Sequence, residues 1–202
     1  MSKYLVIEGT DGSGKNSVAD ALMEQEGYVQ VAEPCPESPF YAAIRQGLKD
    51  PQKEKALLPL FHQDRLWTIE NVIEPLLSQG KKVISVRSFL STLVYQKQSH
   101  PENVVDDICS SLPLYPDTLI FLDLPVEESM RRISDRGLER EVFETESKLE
   151  KVREGYVYEL KRILRNETRW RPSILWVDAK APLEDVVSMI LDQLSEARGD
   201  TV

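Results

Sequence analysis

Cysteine is nearly absent from this chain, with only Cys35 and Cys109 among 202 residues. Two distant thiols build no disulfide framework and suit a reducing compartment, the cytoplasm. Histidine is equally scarce, and neither His62 nor His100 lies in a metal-ligand spacing with a cysteine, which sets a zinc site aside. Long apolar runs are missing, and nothing approaches the roughly 20 residues that cross a bilayer. A strand pattern begins at Tyr4, which leaves no room for a secretory leader. Excess positive charge is missing too. Against 34 Asp and Glu stand 25 Lys and Arg, a net charge of −9, the wrong sign for a surface that tracks a nucleic-acid backbone. Neither a membrane nor a nucleic acid is therefore an expected partner. Internal repeats and low-complexity segments are absent as well.

What remains is an ordinary globular composition, 41% hydrophobic and 29% charged, long enough for a full core in one domain spanning 1–202. Strand patterns at Tyr4–Glu8, Tyr28–Ala32, Lys82–Val86, Thr118–Leu122 and Ile174–Val177 alternate with helical ones. The helices are expected from Asn16 to about Glu26, around Ile44 and Arg45, and across Leu57–Leu77. In that last stretch Pro59 marks a first turn or a break, Pro75 a kink and Gly80 a stop. Another helix follows Pro125 and ends at Gly137. A capping box at Ser147–Glu150 starts the next, Pro182 opens the last, and the chain frays from Gly199. Such alternation predicts an α/β fold, a five-stranded parallel sheet with helices on both faces. The loops after residues 8, 32, 86 and 122 then share one edge, where ligands of such sheets bind.

The first of these loops reads Gly9-Thr10-Asp11-Gly12-Ser13-Gly14-Lys15-Asn16-Ser17, between a strand and a helix. That is the order of a phosphate-binding P-loop. Its glycines turn backbone N–H groups inward, and the helix start adds partial positive charge. Lys15 reaches the outer phosphates of a nucleoside triphosphate. Gly9, Asp11, Gly12, Ser13, Gly14, Lys15, Asn16 and Ser17 are the expected cradle. The motif asks for Ser or Thr after the lysine, because that hydroxyl holds Mg²⁺, and here Asn16 takes the slot. Three further cations, Arg45, Arg65 and Arg87, fall near strand ends, and guanidinium groups grip phosphate as a fork. Phe61 lies one helical turn before Arg65, on the same face.

Phe61-His62-Gln63-Asp64-Arg65, Val86-Arg87-Ser88 through Gln96, Leu122-Asp123-Leu124-Pro125, Arg136-Gly137 and Arg153-Glu154-Gly155-Tyr156 follow in order. With the P-loop, the run resembles the thymidylate kinase family of nucleoside monophosphate kinases, from Leu5 to about Asp178. The resemblance implies ATP with Mg²⁺ as phosphoryl donor, a deoxypyrimidine monophosphate as acceptor, dTMP foremost, and a homodimer. It places Phe61 against the base and Arg65 and Arg87 on the phosphate. Asp11, Arg45, Ser91, Thr92, Tyr95 and Gln96 join them around the acceptor, with Tyr95 beside the sugar where a 2′-hydroxyl would clash. Some members carry an arginine inside the P-loop. Here Gly12-Ser13 occupies that place, so the cation is expected from a lid at about 137–147, through Arg136 and Arg140. Lys15, Arg87, Arg136 and Arg140 are then the catalytic group.

The chain departs from the family pattern in several places. Asn16 replaces the metal-binding hydroxyl, and Val86 replaces an aspartate, leaving Asn16, Asp11, Asp123 and Glu144 as candidates around Mg²⁺. Ala32 replaces an arginine, and Pro34-Cys35-Pro36-Glu37 replaces a glycine-rich loop. A kinase for another or modified nucleotide or nucleoside, and a catalytically weak nucleotide-binding homologue, therefore stand as alternatives to dTMP phosphorylation.

Overall fold

A computed structural model describes residues 3–135, 145–165 and 167–196. Five segments, β1 Tyr4–Gly9, β2 Tyr28–Ala32, β3 Lys82–Val86, β4 Thr118–Asp123 and β5 Ser173–Asp178, pair in parallel in the order β2-β3-β1-β4-β5. Alternate side chains of the central strands enter two separate cores. Tyr4, Val6, Val83, Leu119 and Phe121 belong to one, and Leu5, Ile7, Ile84, Ile120 and Leu122 to the other. A sheet buried on both faces reads as continuous apolar runs for this reason, and all six residues of β1 are buried.

Helices α1 Lys15–Glu26, α2 Tyr41–Gly47, α3 Leu57–Thr68, α4 Glu74–Ser78, α5 Phe89–Gln96, α6 Glu102–Ser110, α7 Val126–Asp135, α8 Glu146–Leu164 and α9 Leu183–Glu196 surround the sheet. Residues of α3, α5 and α8 pack on the first core, and those of α1 and α9 on the second. The expected α/β architecture is thus present, with every strand found to within one residue at each end.

The helical stretch 57–77 is broken where proline requires it. Pro75 supplies no N–H, and the turn before it, Ile69–Ile73, widens so that the Glu74 N–H donates to the Ile69 carbonyl five residues back. A π-turn relieves the clash of the proline ring with the preceding turn. Pro59 sits in the first turn of α3, and Gly80 follows α4 with φ +77°. The capping box is a correction: α8 starts at Glu146 after Thr145, which makes no side-chain cap, so Ser147 lies inside the first turn. The sequence pattern also missed α6, a short polar helix that buries only Val105 and Cys109. The expected stop at Gly137, most of the lid and the end from Gly199 lie outside the described residues.

Connections place the site. From β1 the chain crosses to β2 beyond β3, then β3 leads to β4 on the other side of β1. The order reverses at β1, which opens a crevice at the carboxyl ends of β1 and β3. Phe121 anchors the floor beneath it, 5.3 Å from the Tyr156 ring and 5.0 Å from Trp176 at 87°. Phe121→Ala is expected to lower unfolding free energy by about 3–5 kcal/mol in urea titrations with an unchanged slope. A loss below about 1 kcal/mol would show that this contact is not a core anchor.

Candidate active site

The loop between β1 and α1 passes too close to its neighbours at two glycines to admit a side chain there. A Cβ on Gly9 would lie 2.7 Å from the Leu122 carbonyl, and one on Gly12, at φ +83°, would lie 2.9 Å from the Ser129 carbonyl. Only glycine fits such positions. Lys15 opens α1 and is buried, its ammonium donating to the Gly9 carbonyl at 3.0 Å and the Thr10 carbonyl at 2.7 Å. Asp11 Oδ1 lies 3.8 Å from the same nitrogen. Ser13 Oγ is buried with no hydrogen-bond partner and lies 2.7 Å from where a Gly9 Cβ would stand. The loop therefore offers what a chain of phosphates needs.

Arg87 follows β3 directly. Its N–H donates to the Ile7 carbonyl at 2.9 Å, which continues the pairing with β1. Its φ of +74° is the only positive value among described non-glycine residues. A left-handed arginine costs of order 1–3 kcal/mol, a strain found where function fixes a side chain. The guanidinium pairs with the Asp11 carboxylate and donates to Ser91 Oγ at 3.2 Å and Tyr95 Oη at 3.3 Å. Asp11 thereby links the loop after β1 to the first residue after β3.

Arg65, on α3, is 5% exposed and faces Glu33, which follows β2. Its Nε donates to Glu33 Oε2 at 2.7 Å, a second nitrogen lies 2.6 Å from the same oxygen, and a third donates to Thr92 Oγ1 at 2.8 Å. Burial raises the Glu33 carboxyl, and Arg65 opposes that rise. Two of the arginines read as phosphate-binding cations thus already face carboxylates, Arg65 on Glu33 and Arg87 on Asp11.

All nine residues expected around the acceptor, Asp11, Arg45, Phe61, Arg65, Arg87, Ser91, Thr92, Tyr95 and Gln96, line one open cleft of about 660 Å³. Glu33, Pro34 and Leu48 complete the wall. Glu33 Oε1 and Gln96 Oε1 are buried there with no partner. Asn16 and Ser17 are exposed on the first turn of α1. Asp123 is engaged: Arg153 donates to its two oxygens at 2.8 and 3.1 Å, and Trp176 Nε1 at 3.1 Å. No group of three His, Cys, Asp or Glu converges as metal ligands among the described residues. The donor set fits Mg²⁺ held through one or two protein oxygens with phosphates and water supplying the rest. Arg136, Arg140 and Glu144 lie outside the described residues.

Sequence reasoning passed over Glu8, which is fully buried. Its Oε1 accepts from Ser88 Oγ at 2.7 Å and the Ser91 N–H at 3.2 Å, and its Oε2 from Ser91 Oγ at 2.7 Å and Tyr156 Oη at 2.9 Å. The signal was available as the one acidic residue in an otherwise apolar strand. Glu33 carried no such signal, because its partner Arg65 lies 32 residues away.

The family model described as thymidylate kinase matches residues 7–190. The "Probable thymidylate kinase" of Thermococcus gammatolerans is 32% identical over 202 residues, with 92% of each chain covered. That of Pyrococcus horikoshii is 35% identical over 93% of each chain. The "Thymidylate kinase" of Legionella pneumophila is 29% identical over 96% of this chain and 94% of its own.

Lys15 gives the cradle a pH signature. Its ammonium is pushed down to about 8, first by burial and next by Arg87, against the pull of Asp11. A bound triphosphate favours the charged form, so above that pH binding must take up a proton. Affinity for ATP is expected to be level below pH 8 and to fall by up to about tenfold per unit above it, read by calorimetry. Lys15→Met should flatten this profile. A wild-type profile that stays level to about pH 9.5 would contradict the assignment.

Proposed function

We propose that this chain, which belongs to the thymidylate kinase family, transfers the terminal phosphoryl group of ATP to thymidine monophosphate, giving ADP and the diphosphate. The observation that carries the reading is the meeting of the glycine loop with the arginine-lined cleft at the Asp11–Arg87 pair.

Phosphoryl transfer asks the protein for positioning and for charge stabilisation, with little covalent work. The backbone N–H groups from Gly12 to Asn16 and the start of α1 receive the ATP phosphates. Lys15 exchanges the Gly9 and Thr10 carbonyls for the outer phosphates, a stronger, charge-assisted contact. In the cleft, Phe61 packs against the base, and Tyr95 lies beside the sugar. Arg87, helped by Arg45, turns from Asp11 to the acceptor's phosphate and aligns one oxygen with the terminal phosphorus of ATP. That oxygen forms the new P–O bond as the bond to the ADP oxygen breaks. Arg65 is held by Glu33, so it acts at the rim of the base through Thr92 rather than as an independent phosphate clamp. Mg²⁺, when bound, neutralises charge on the donor phosphates, with Asn16 and Asp11 as its candidate ligands. Arg136 and Arg140 are assigned the equatorial charge of the moving group, because the loop interior holds no arginine. A second copy of the chain is the proposed partner, through the half-buried Leu66, Val72 and Leu76 that edge the first core.

An assay coupled to ADP release over a panel of nucleosides and monophosphates tests the reading. Turnover is expected with dTMP foremost, and ATP binding without turnover on any acceptor would contradict it. Lys15→Ala should lower kcat by about 10³-fold or more, the scale of lost electrostatic stabilisation. Arg87→Ala should raise KM for dTMP by about 10–100-fold, the worth of a charged hydrogen bond. Asn16→Ser should lower the Mg²⁺ concentration needed for half-maximal rate. An unchanged Mg²⁺ titration would place Asn16 away from the ion.

A further inference from the structure

Glu8 sits where β1 ends and the glycine loop begins, with no solvent exposure. An ionised carboxylate only accepts hydrogen bonds, and burying one is costly unless it is satisfied. Four donors surround it, from Ser88, Ser91 and Tyr156. Ser88 is the N-cap of α5, accepting from the Leu90 N–H at 3.2 Å, and Ser91 stands in the first turn of that helix. One carboxylate therefore ties the strand carrying the donor loop to the helix carrying Thr92, Tyr95 and Gln96.

The polarity of the chain of contacts matters more than the tie. A serine hydroxyl has one proton and two lone pairs. Glu8 Oε2 takes the Ser91 proton at 2.7 Å. The Ser91 oxygen is left as an acceptor, and the Arg87 guanidinium donates to it at 3.2 Å. Arginine is a donor at every nitrogen, so a Ser91 proton turned toward it would be repelled. The Tyr156 hydroxyl, 2.9 Å from both Glu8 Oε2 and Ser91 Oγ, closes the triangle.

We propose that Glu8 is a positioning residue for Arg87, acting through Ser91. By accepting the Ser91 proton it fixes the hydroxyl as an acceptor, and so fixes the guanidinium that meets the acceptor's phosphate. The proposal rests on the phosphate role given to Arg87 above. It predicts that the acceptor half of the site depends on Glu8 far more than the donor half, where Glu8 only adds to the field on Lys15. Glu8→Gln keeps the shape and places an amide N–H₂ against Ser91 and Tyr156. The serine then accepts from the glutamine and loses its carboxylate acceptor, so its proton is free to turn toward Arg87 or the Tyr156 oxygen.

Calorimetry with dTMP and with ATP, each alone, tests this. Glu8→Gln is expected to weaken dTMP by about tenfold or more and to leave ATP within about twofold. Ser91→Ala should weaken dTMP similarly, and adding Glu8→Gln to it should change dTMP affinity by less than about twofold, since both act through one contact. A purely structural Glu8 would instead weaken both ligands, or add its full effect in the Ser91→Ala background, and either result overturns the proposal. Arg87→Ala separates the two readings. If it weakens dTMP while Glu8→Gln does not, the relay alone fails. If Arg87→Ala leaves dTMP untouched, the phosphate role fails first and the relay with it. Should Glu8→Gln not accumulate as folded protein, Ser91→Ala decides, and unchanged dTMP affinity overturns the relay.

Discussion

Everything in this site depends on one contact, the ion pair between Asp11 and Arg87. The two residues are remote in sequence and meet because β1 and β3 are neighbours with Ile7 opposite Val86. A parallel sheet that reverses its order at β1 puts the loop after one strand beside the first residue after the other. Gly9 permits the tight approach of the loop to β4, and the left-handed backbone of Arg87 turns its side chain across the crevice. Without that turn the donor loop and the acceptor cleft would be two adjoining sites rather than one.

Charge is arranged around this contact in a way the overall composition hides. The chain carries a net charge of −9, yet the crevice collects Lys15, Arg65 and Arg87. Each is stored against an acid or a carbonyl: Lys15 on the loop's own carbonyls with Asp11 nearby, Arg65 on Glu33, Arg87 on Asp11. Buried cations without partners would be costly. Stored ones remain ionised and ordered, and an incoming phosphate competes for them with a single exchange of hydrogen bonds. Arg65 differs in being held by two nitrogens on one oxygen, with its remaining contact aimed at Thr92. That difference underlies the proposed division, with Arg87 on the phosphate and Arg65 at the base end of the cleft.

Much of this was legible in the sequence. The strands announced themselves because a doubly covered sheet needs unbroken apolar runs, and the glycine loop because phosphate cradles demand that spacing. The nine residues expected around the acceptor line one cleft; Arg45, Phe61, Arg65 and Arg87 were read from charge and spacing, the other five from the family resemblance. What escaped was of two kinds. Pairings such as Glu33–Arg65 depend on which strands become neighbours, which no local pattern states. Short helices such as α6 offer little to read: its apolar Val104, Val105, Ile108 and Cys109 keep helical spacing over only two turns. Glu8 belongs to neither kind: an acid inside a buried strand was visible, but its meaning required the hydroxyls that α5 and α8 bring to it.

The most direct test of the account is a crystal structure with a bisubstrate analogue, adenosine and thymidine joined through a phosphate chain. The account expects Lys15 to leave the Gly9 and Thr10 carbonyls for the phosphates, Arg87 to leave Asp11 for the thymidine-side phosphate, and the base to lie against Phe61. A phosphate chain bound with Arg87 still closed on Asp11, and the base away from Phe61, would contradict it.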